Sequence, residues 1–346
     1  MRPIVLSGIL AALLAFSIPA VSPAQGTGPY KVLVAKTVGG DQGRFDYVYA
    51  DAIARRLYVA RIGPSGVMSV YDLDTLAPVG SIAETTAHGA AVDQATHHGF
   101  ASSKPVTMWD SQSLQLIKTI AVEGNPDAIF GDSFGSRIYI LSHEAPNVTV
   151  IDAKDGTVLG TIDLGGEPEQ MVSDGNGRLY VDLEDKGAIA VVDAKTMTVT
   201  ARYDLAGKGG TCAGLAIDRK NGILFASCRD PQTMVVLNAA DGKILATLPI
   251  GSGSDGAAFN PSTMEAFSAQ ADGTLSIVKE ESPAKFSLEQ TLQTKPAAKT
   301  LTLDTKTNHI VLITADFTPA PPPAPGQRPG RPQMVPGSFS ILVVGK

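Results

Sequence analysis

The stretch Glu169-Gln170-Met171-Val172-Ser173-Asp174 is followed by the turn Gly175-Asn176-Gly177 and then by Arg178-Leu179-Tyr180-Val181-Asp182. After a short loop come Ala188-Ile189-Ala190-Val191-Val192-Asp193, the turn Ala194-Lys195-Thr196-Met197, and a last run from Thr198 to Tyr203. These are four short β-rich runs bounded by Gly, Asn, Asp and Lys turns, the pattern of strands joined by tight hairpins. The same order recurs around Asp46 to Asp51, Arg56 to Val59, Val67 to Asp72 and Ala77 to Ile82, and again in the repeat that contains Arg137 to Ile140 and Val148 to Asp152. The residue closing each first run recurs too, as Asp51, Asp93, Asp132, Asp174, Asp218, Asn260 and Asp304, at spacings of 42, 39, 42, 44, 42 and 44 residues. Four runs per unit at that period predict an all-β fold, a seven-bladed β-propeller with four antiparallel strands per blade.

The seventh repeat supplies only three runs, Thr300 to Leu303, His309 to Thr314 and Ser338 to Val344. The missing fourth is expected from Tyr30 to Val38, which precedes the first repeat and has no other partner. Such an N-terminal strand closes the ring and leaves no open sheet edge in that blade. Residues 25–346 then form a single propeller domain. One segment breaks the repeat: residues 317–337 hold Pro319, Pro321 to Pro323, Pro325, Pro329, Pro332 and Pro336, with Arg328 and Arg331. A Pro-rich insertion of this kind in blade seven is expected to be extended or disordered, neither strand nor helix.

Residues 1–24 have the form of a secretory signal peptide. Arg2 supplies the positive start, Ile4 to Phe16 the apolar segment, and Ser22-Pro23-Ala24 a small-residue cleavage site. The mature protein is therefore expected to be soluble and periplasmic or secreted, without a membrane span. Arg2 is the only charged residue in that segment, so cleavage takes the formal net charge from −6 to −7. An acidic balance argues against nucleic acid as a partner, because its phosphates need a basic surface.

Two cysteines in an exported chain point to a disulfide. Cys212 opens the first run of blade five and Cys228 closes the second, with Arg219 to Gly222 as the turn between them. A hairpin centred near Lys220 sets the two directly opposite, at a separation a disulfide tolerates.

Counting back five residues from each anchor gives Asp46, His88, Asp127, Glu169, Ala213, Asp255 and Lys299. Strands in a blade run alternately up and down, so this position and the loops between second and third strands share one face, the top. Packing alone would accept Gly, Ala or Ser at the inner mouth of the channel. Asp46, His88, Asp127, Glu169, Asp255 and Lys299 are therefore the expected ligand-binding residues. The top loops add Arg61, Lys104, His143, Glu144, Glu184, Asp185, Arg229, Asp230 and Asp272. Several carboxylates together would suit a hard divalent cation in the central funnel.

Other motifs do not carry function. Gly251 to Gly256 has dinucleotide-loop glycine spacing, but Ala257 to Asn260 reads as a strand where that motif needs a helix. Trp109-Asp110 aligns with Tyr71-Asp72 and Val192-Asp193 and ends an ordinary third strand. His97-His98 is expected in a solvated bottom turn. Asn147-Val148-Thr149 matches a glycosylation sequon, discounted because the export signal has a bacterial character. No Cys-x-x-Cys-His is present.

The repeats resemble the YVTN, or YncE-like, β-propeller family. The resemblance is carried by Arg56-Leu57-Tyr58-Val59-Ala60, Ile138-Tyr139-Ile140, Arg178-Leu179-Tyr180-Val181 and the strand-plus-Asp elements at Val148 to Asp152 and Ile189 to Asp193. Asn125-Pro126-Asp127 and Glu167-Pro168-Glu169 look like that family's interblade segments. The resemblance implies export, a seven-bladed ring of WD40-like repeats, and a binding or interaction role rather than a defined activity. Two functions follow as expectations. The first is an exported binding or scaffold protein, expected as a monomer, that takes a small-molecule or protein ligand at its top funnel. The second is a metal-assisted hydrolase of the lactonase type, with the funnel carboxylates and His88 as ligands.

Overall fold

The computed structural model describes residues 28–40, 44–63, 66–82, 85–320 and 332–346. The expected signal segment lies outside them, as does the middle of the Pro-rich insertion. The described residues form seven four-stranded antiparallel sheets, each ordered from an inner first strand to an outer fourth. The first strands, among them Arg44–Asp51, Pro126–Asp132, Pro168–Ser173 and Ser254–Asn260, line the central channel.

Blades stack face to face, so their middle strands are buried on both sides and read as unbroken apolar runs. Arg137–Ser142 is buried from Ile138 onward, and Tyr139 and Leu141 pack against Leu179 and Val181 of the next blade. Outer strands face solvent, which is why Val158 and Leu159 of Val158–Ile162 remain exposed.

The seven repeating anchors hold the bottom turns. Asp51 Oδ1 accepts the Ile53 and Ala54 N–H groups at 3.0 and 2.9 Å, and Asp218 accepts Lys220 N–H at 2.9 Å. Asn260 Oδ1 does the same for Ser262 N–H at 2.9 Å, so an amide serves as well as a carboxylate. These are Asx turns, in which a short side chain satisfies backbone donors the hairpin leaves over. The period that reveals the fold is thus a period of turn chemistry.

Lys31–Thr37 pairs antiparallel with Ser340–Gly345 and forms the outer strand of the seventh blade, as expected. Its lead-in is fastened to blade six. Tyr30 N–H donates to Gln290 Oε1 and Gln290 Nε2 returns a bond to Tyr30 O, both at 2.9 Å, while Tyr30 OH donates to buried Glu265. On the bottom face Arg55 of blade one grips Asp304 of blade seven with two bonds of 2.7 Å, a bidentate clasp across the closure.

In blades one, three, four, five and six the first strand carries one extra residue relative to the second. Phe45 pairs with Arg61 but Val48 with Val59; Pro126 pairs with Ser142 but Ile129 with Ile140. The same shift occurs after Pro168, Cys212 and Ser254. This β-bulge also positions the disulfide between Cys212 and Cys228. The turn pairs Asp218 with Ile223, so an unbroken ladder would set Cys212 opposite Arg229; the extra residue brings it opposite Cys228.

The Pro-rich insertion is more ordered at its base than its composition implies. Phe317 bridges Met334 in antiparallel fashion, flanked by bonds of 2.8 Å from Thr318 N–H to Gln333 O and from Val335 N–H to Asp316 O. Thr318 and Val335 supply the N–H groups that the intervening prolines lack, so pairing survives there. His98 also departs from expectation. It is half-buried and its Nδ1 lies 2.9 Å from Ala153 O of the next blade. Asn147 is buried, its Oδ1 accepting Leu164 N–H at 3.0 Å, so the sequon residue is a loop brace.

Deleting residues 1–38 is expected to expose the Ser340–Gly345 edge; light scattering should show soluble aggregates and calorimetry the loss of a single cooperative transition. The double variant Cys212→Ser/Cys228→Ser is expected to lose stability in urea melts by less than about 3 kcal/mol, the chain-entropy value for a loop of this size, because the hairpin already restrains it.

Candidate functional site

The bulge decides where the ionisable position points. Asp46, Asp127, Glu169 and Asp255 each fall inside the register shift of their own first strand. A bulge locally increases twist and re-aims a side chain. Here it brings the side chains of different blades into contact at the channel mouth. His88 and Lys299 occupy the same position just before the shorter first strands Ala90–Asp93 and Leu301–Asp304. Ala213, the one neutral member, sits beside the disulfide half Cys212 and is fully buried.

The six ionisable residues join a continuous charged ring. His88 Nδ1 lies 2.6 Å from Asp46 Oδ2 and 2.9 Å from Asp127 Oδ1. His143, from the top loop of blade three, places Nε2 3.5 Å from Asp127 Oδ2 and 3.6 Å from Glu169 Oε1. Across the ring Arg229 donates to Glu184 Oε1 at 2.6 Å and to Asp255, and Lys299 donates to the other oxygen of Asp255. His143 and Glu184 come from the 2–3 loops and Arg229 ends the second strand of blade five, where the sequence shows only charge; the register of these residues against the ring is not visible in the repeat.

The electrostatics follow from crowding. Hydrogen bonds from His88 to Asp127 and Asp46 hold its imidazolium, raising its pKa to about 10 against the opposing pull of burial. Burial raises the Glu169 carboxyl, and sharing a hydrogen bond with Glu184 raises it further. Burial also raises Asp46, helped by the neighbouring Asp127 charge and offset in part by the His88 bond. The Asp255 side differs, because Arg229 and Lys299 both neutralise one carboxylate there.

A floor closes the funnel. One residue past the ionisable position stand Tyr47, Gly89, Ala128, Gln170, Gly214, Gly256 and Thr300. Tyr47 reaches over to donate its OH to Glu169 Oε2 at 2.9 Å. Gln170 Oε1 accepts Leu215 N–H at 2.9 Å and Ala257 N–H at 3.2 Å, spanning to blades five and six. Small residues opposite make room: a Cβ at Gly214 would stand 2.8 Å from Gly256 C. Below this floor the channel is a cavity of about 350 Å³ lined by residues such as Met171, Ile129 and Phe259. Tyr47 and Gln170 escaped the sequence reading; two large residues at an otherwise small position were the available signal.

Beside the ring a second cavity of about 580 Å³ opens between blade one, the blade six to seven loop and the insertion base. Phe45, Ile62, Phe317, Pro332 and Pro296 form its apolar wall, and Asp46, His88 and Lys299 its polar end. Phe45 holds Phe317 and Phe339 at ring-centre distances of 6.2 and 5.2 Å, so the base of the insertion is packed onto blade one.

No protein-family model matches the chain, and no curated protein matches it. Solved structures do. A chain in the crystal structure of the mitotic checkpoint complex aligns with a TM-score of 0.68 and 15% identity over 90% of this chain and 96% of that one. A chain of Kuenenia stuttgartiensis hydrazine synthase gives 0.68 and 14% over 80% and 94%, and U3-55K gives 0.68 and 13% over 92% and 99%. At such identities the likeness shows the propeller fold alone.

Asp182, beneath the floor, provides a pH test. It is fully buried, its Oδ1 accepts Gln170 N–H at 2.6 Å, and its Oδ2 has no hydrogen-bond partner among the described residues. Burial pushes its pKa up to about 8. The folded chain then keeps a proton that the unfolded chain releases near the ordinary carboxylate pKa of about 4. Stability is therefore expected to fall as pH rises from about 4 to 8 and to level off above that. Asp182→Asn should flatten this slope in chemical-denaturation midpoints measured across that range.

Proposed function

We propose that this chain is an exported binding protein of YVTN-like character that takes a small amphipathic ligand at its top face. The observation that carries this is the pairing of an apolar cavity with a polar end: Phe45, Ile62 and Phe317 on one side, Asp46, His88 and Lys299 on the other. A pocket of that make-up buries an apolar body and orients a polar head with a few placed groups. The remaining ring residues, Asp127, Glu169 and Asp255, extend the polar surface available to a larger head group. Export follows from the sequence of residues 1–24, and the regular closed ring is consistent with a monomeric platform. A second reading, a metal-assisted hydrolase of the lactonase type, draws on the imidazoles of His88 and His143 set among carboxylates; it requires turnover of a lactone that depends on added metal.

Thermal-shift measurements with amphipathic small molecules bearing ammonium or carboxylate heads are expected to identify ligands, with affinities then set by calorimetry. Phe317→Ala and Asp46→Asn should each weaken binding by about fivefold or more, roughly 1 kcal/mol, with the melting temperature of the free protein little changed. Affinity unchanged in both variants, or a ligand bound at the bottom face beside His97, would overturn the reading.

A further inference from the structure

His143 stands at a spacing that direct hydrogen bonding does not explain. Its Nε2 atom is buried and makes no hydrogen bond among the described residues. The nearest oxygens, Asp127 Oδ2 and Glu169 Oε1, are 3.5 and 3.6 Å away, whereas an N–H···O bond has a donor–acceptor distance of about 2.9 Å. A buried polar atom left without a partner is costly, so a gap of this kind calls for an occupant.

The two carboxylates are held as ligands are held. Asp127 presents Oδ1 to His88 at 2.9 Å and turns Oδ2 toward His143. Glu169 accepts Tyr47 OH on Oε2 at 2.9 Å and turns Oε1 toward His143. In each case one oxygen is engaged by a positioning partner and the other is aimed at the same imidazole nitrogen. Oriented carboxylates of this type are what outer-shell hydrogen bonds provide around a metal ion. The three donor atoms all lie within 4.8 Å of one another. Around a tetrahedral ion with bonds of about 2.0–2.2 Å, neighbouring donors stand roughly 3.3–3.6 Å apart. The separations of 3.5 and 3.6 Å are too long for a bond between the groups and suited to bonds through a shared ion. The neighbouring Asp46–His88–Asp127 group, at 2.6 and 2.9 Å, is spaced for hydrogen bonds instead.

We propose that Asp127 Oδ2, His143 Nε2 and Glu169 Oε1 form a binding site for a divalent metal ion of the zinc class, with His88 and Tyr47 as positioning residues. One imidazole and two carboxylates are a borderline-to-hard donor set, which suits Zn²⁺, Co²⁺ or Mn²⁺ better than a thiol-seeking ion. Asp127 and His143 are partly accessible from the funnel, with side-chain exposures of 18% and 34%, so a fourth position can be filled by water or a ligand group. The three donors are on blades three and four and none of them lines the apolar cavity, which the site meets only through His88.

The test uses the whole mature protein, stripped with a chelator and titrated with Zn²⁺, and separately with Co²⁺ to read coordination from visible absorption. One equivalent is expected to bind, and the cobalt form should show the strong visible bands of a four-coordinate ion. His143→Ala should abolish the cobalt bands and weaken zinc binding more than about tenfold, and Tyr47→Phe should weaken it by about tenfold while keeping the metal-free fold, checked by circular dichroism. His97→Gln, on the exposed bottom turn, should bind as the parent does. Absence of stoichiometric zinc binding, or binding that persists unchanged in both His143→Ala and Tyr47→Phe, would overturn the proposal.

Discussion

Everything in this fold depends on the pairing of Lys31–Thr37 with Ser340–Gly345. Each blade buries its middle strands only because another blade covers both of its faces, so the apolar runs of the repeats are tolerable only in a closed circle. The pairing completes the seventh sheet, and Tyr30, Gln290 and Glu265 fasten its lead-in to the sixth. The Arg55–Asp304 clasp joins blade one to blade seven at their bottom turns. Closure is thus secured by backbone pairing at the rim and by a charge-assisted contact near the axis.

A closed ring brings seven equivalent positions together whether or not they attract. The extra residue in five first strands turns this geometric fact into a site, because the bulge points the side chain inward across the channel instead of along the blade face. The chain then handles the resulting charge in two ways. On the side of Asp255, two basic groups share one carboxylate and the surface is nearly neutral. On the side of Asp46, Asp127 and Glu169 only imidazoles intervene, and burial and mutual repulsion raise the Asp46 and Glu169 carboxyls. The asymmetry lies in residue choice at matching repeat positions, not in backbone geometry.

This division also explains how much could be read from sequence. The anchors Asp51 to Asp304 were legible because each acts within its own turn, on backbone two or three residues away, so local spacing records the interaction. The ring position was legible by subtraction from those anchors. His143 and Tyr47 were not, because their partners are remote: Tyr47 meets Glu169 across 122 residues of chain, and only the circular arrangement makes them neighbours. The order at the base of the insertion was hidden for another reason. Proline counts describe the segment's average, while Phe317 and Met334 pair at its two edges, where donors remain.

The floor of Tyr47 and Gln170 gives the ring its chemical character. An open channel would let water reach the carboxylates from both sides and screen their repulsion. With the channel spanned below, Glu169 is almost fully buried, and Tyr47 OH and His88 engage one oxygen of each carboxylate that faces His143. Desolvated like charges are tolerated in a fold when protons, basic groups or a cation balance them. The chain spends its basic side chains, Arg229 and Lys299, on Asp255, and gives the Asp127–Glu169 pair only the His88 contact to Asp127 and the His143 imidazole, which bonds to neither. A scaffold selected for stability alone would place a small neutral residue at both positions, as it does at Ala213. That it does not at Asp127 and Glu169 is the physical reason to look for function at this side of the funnel.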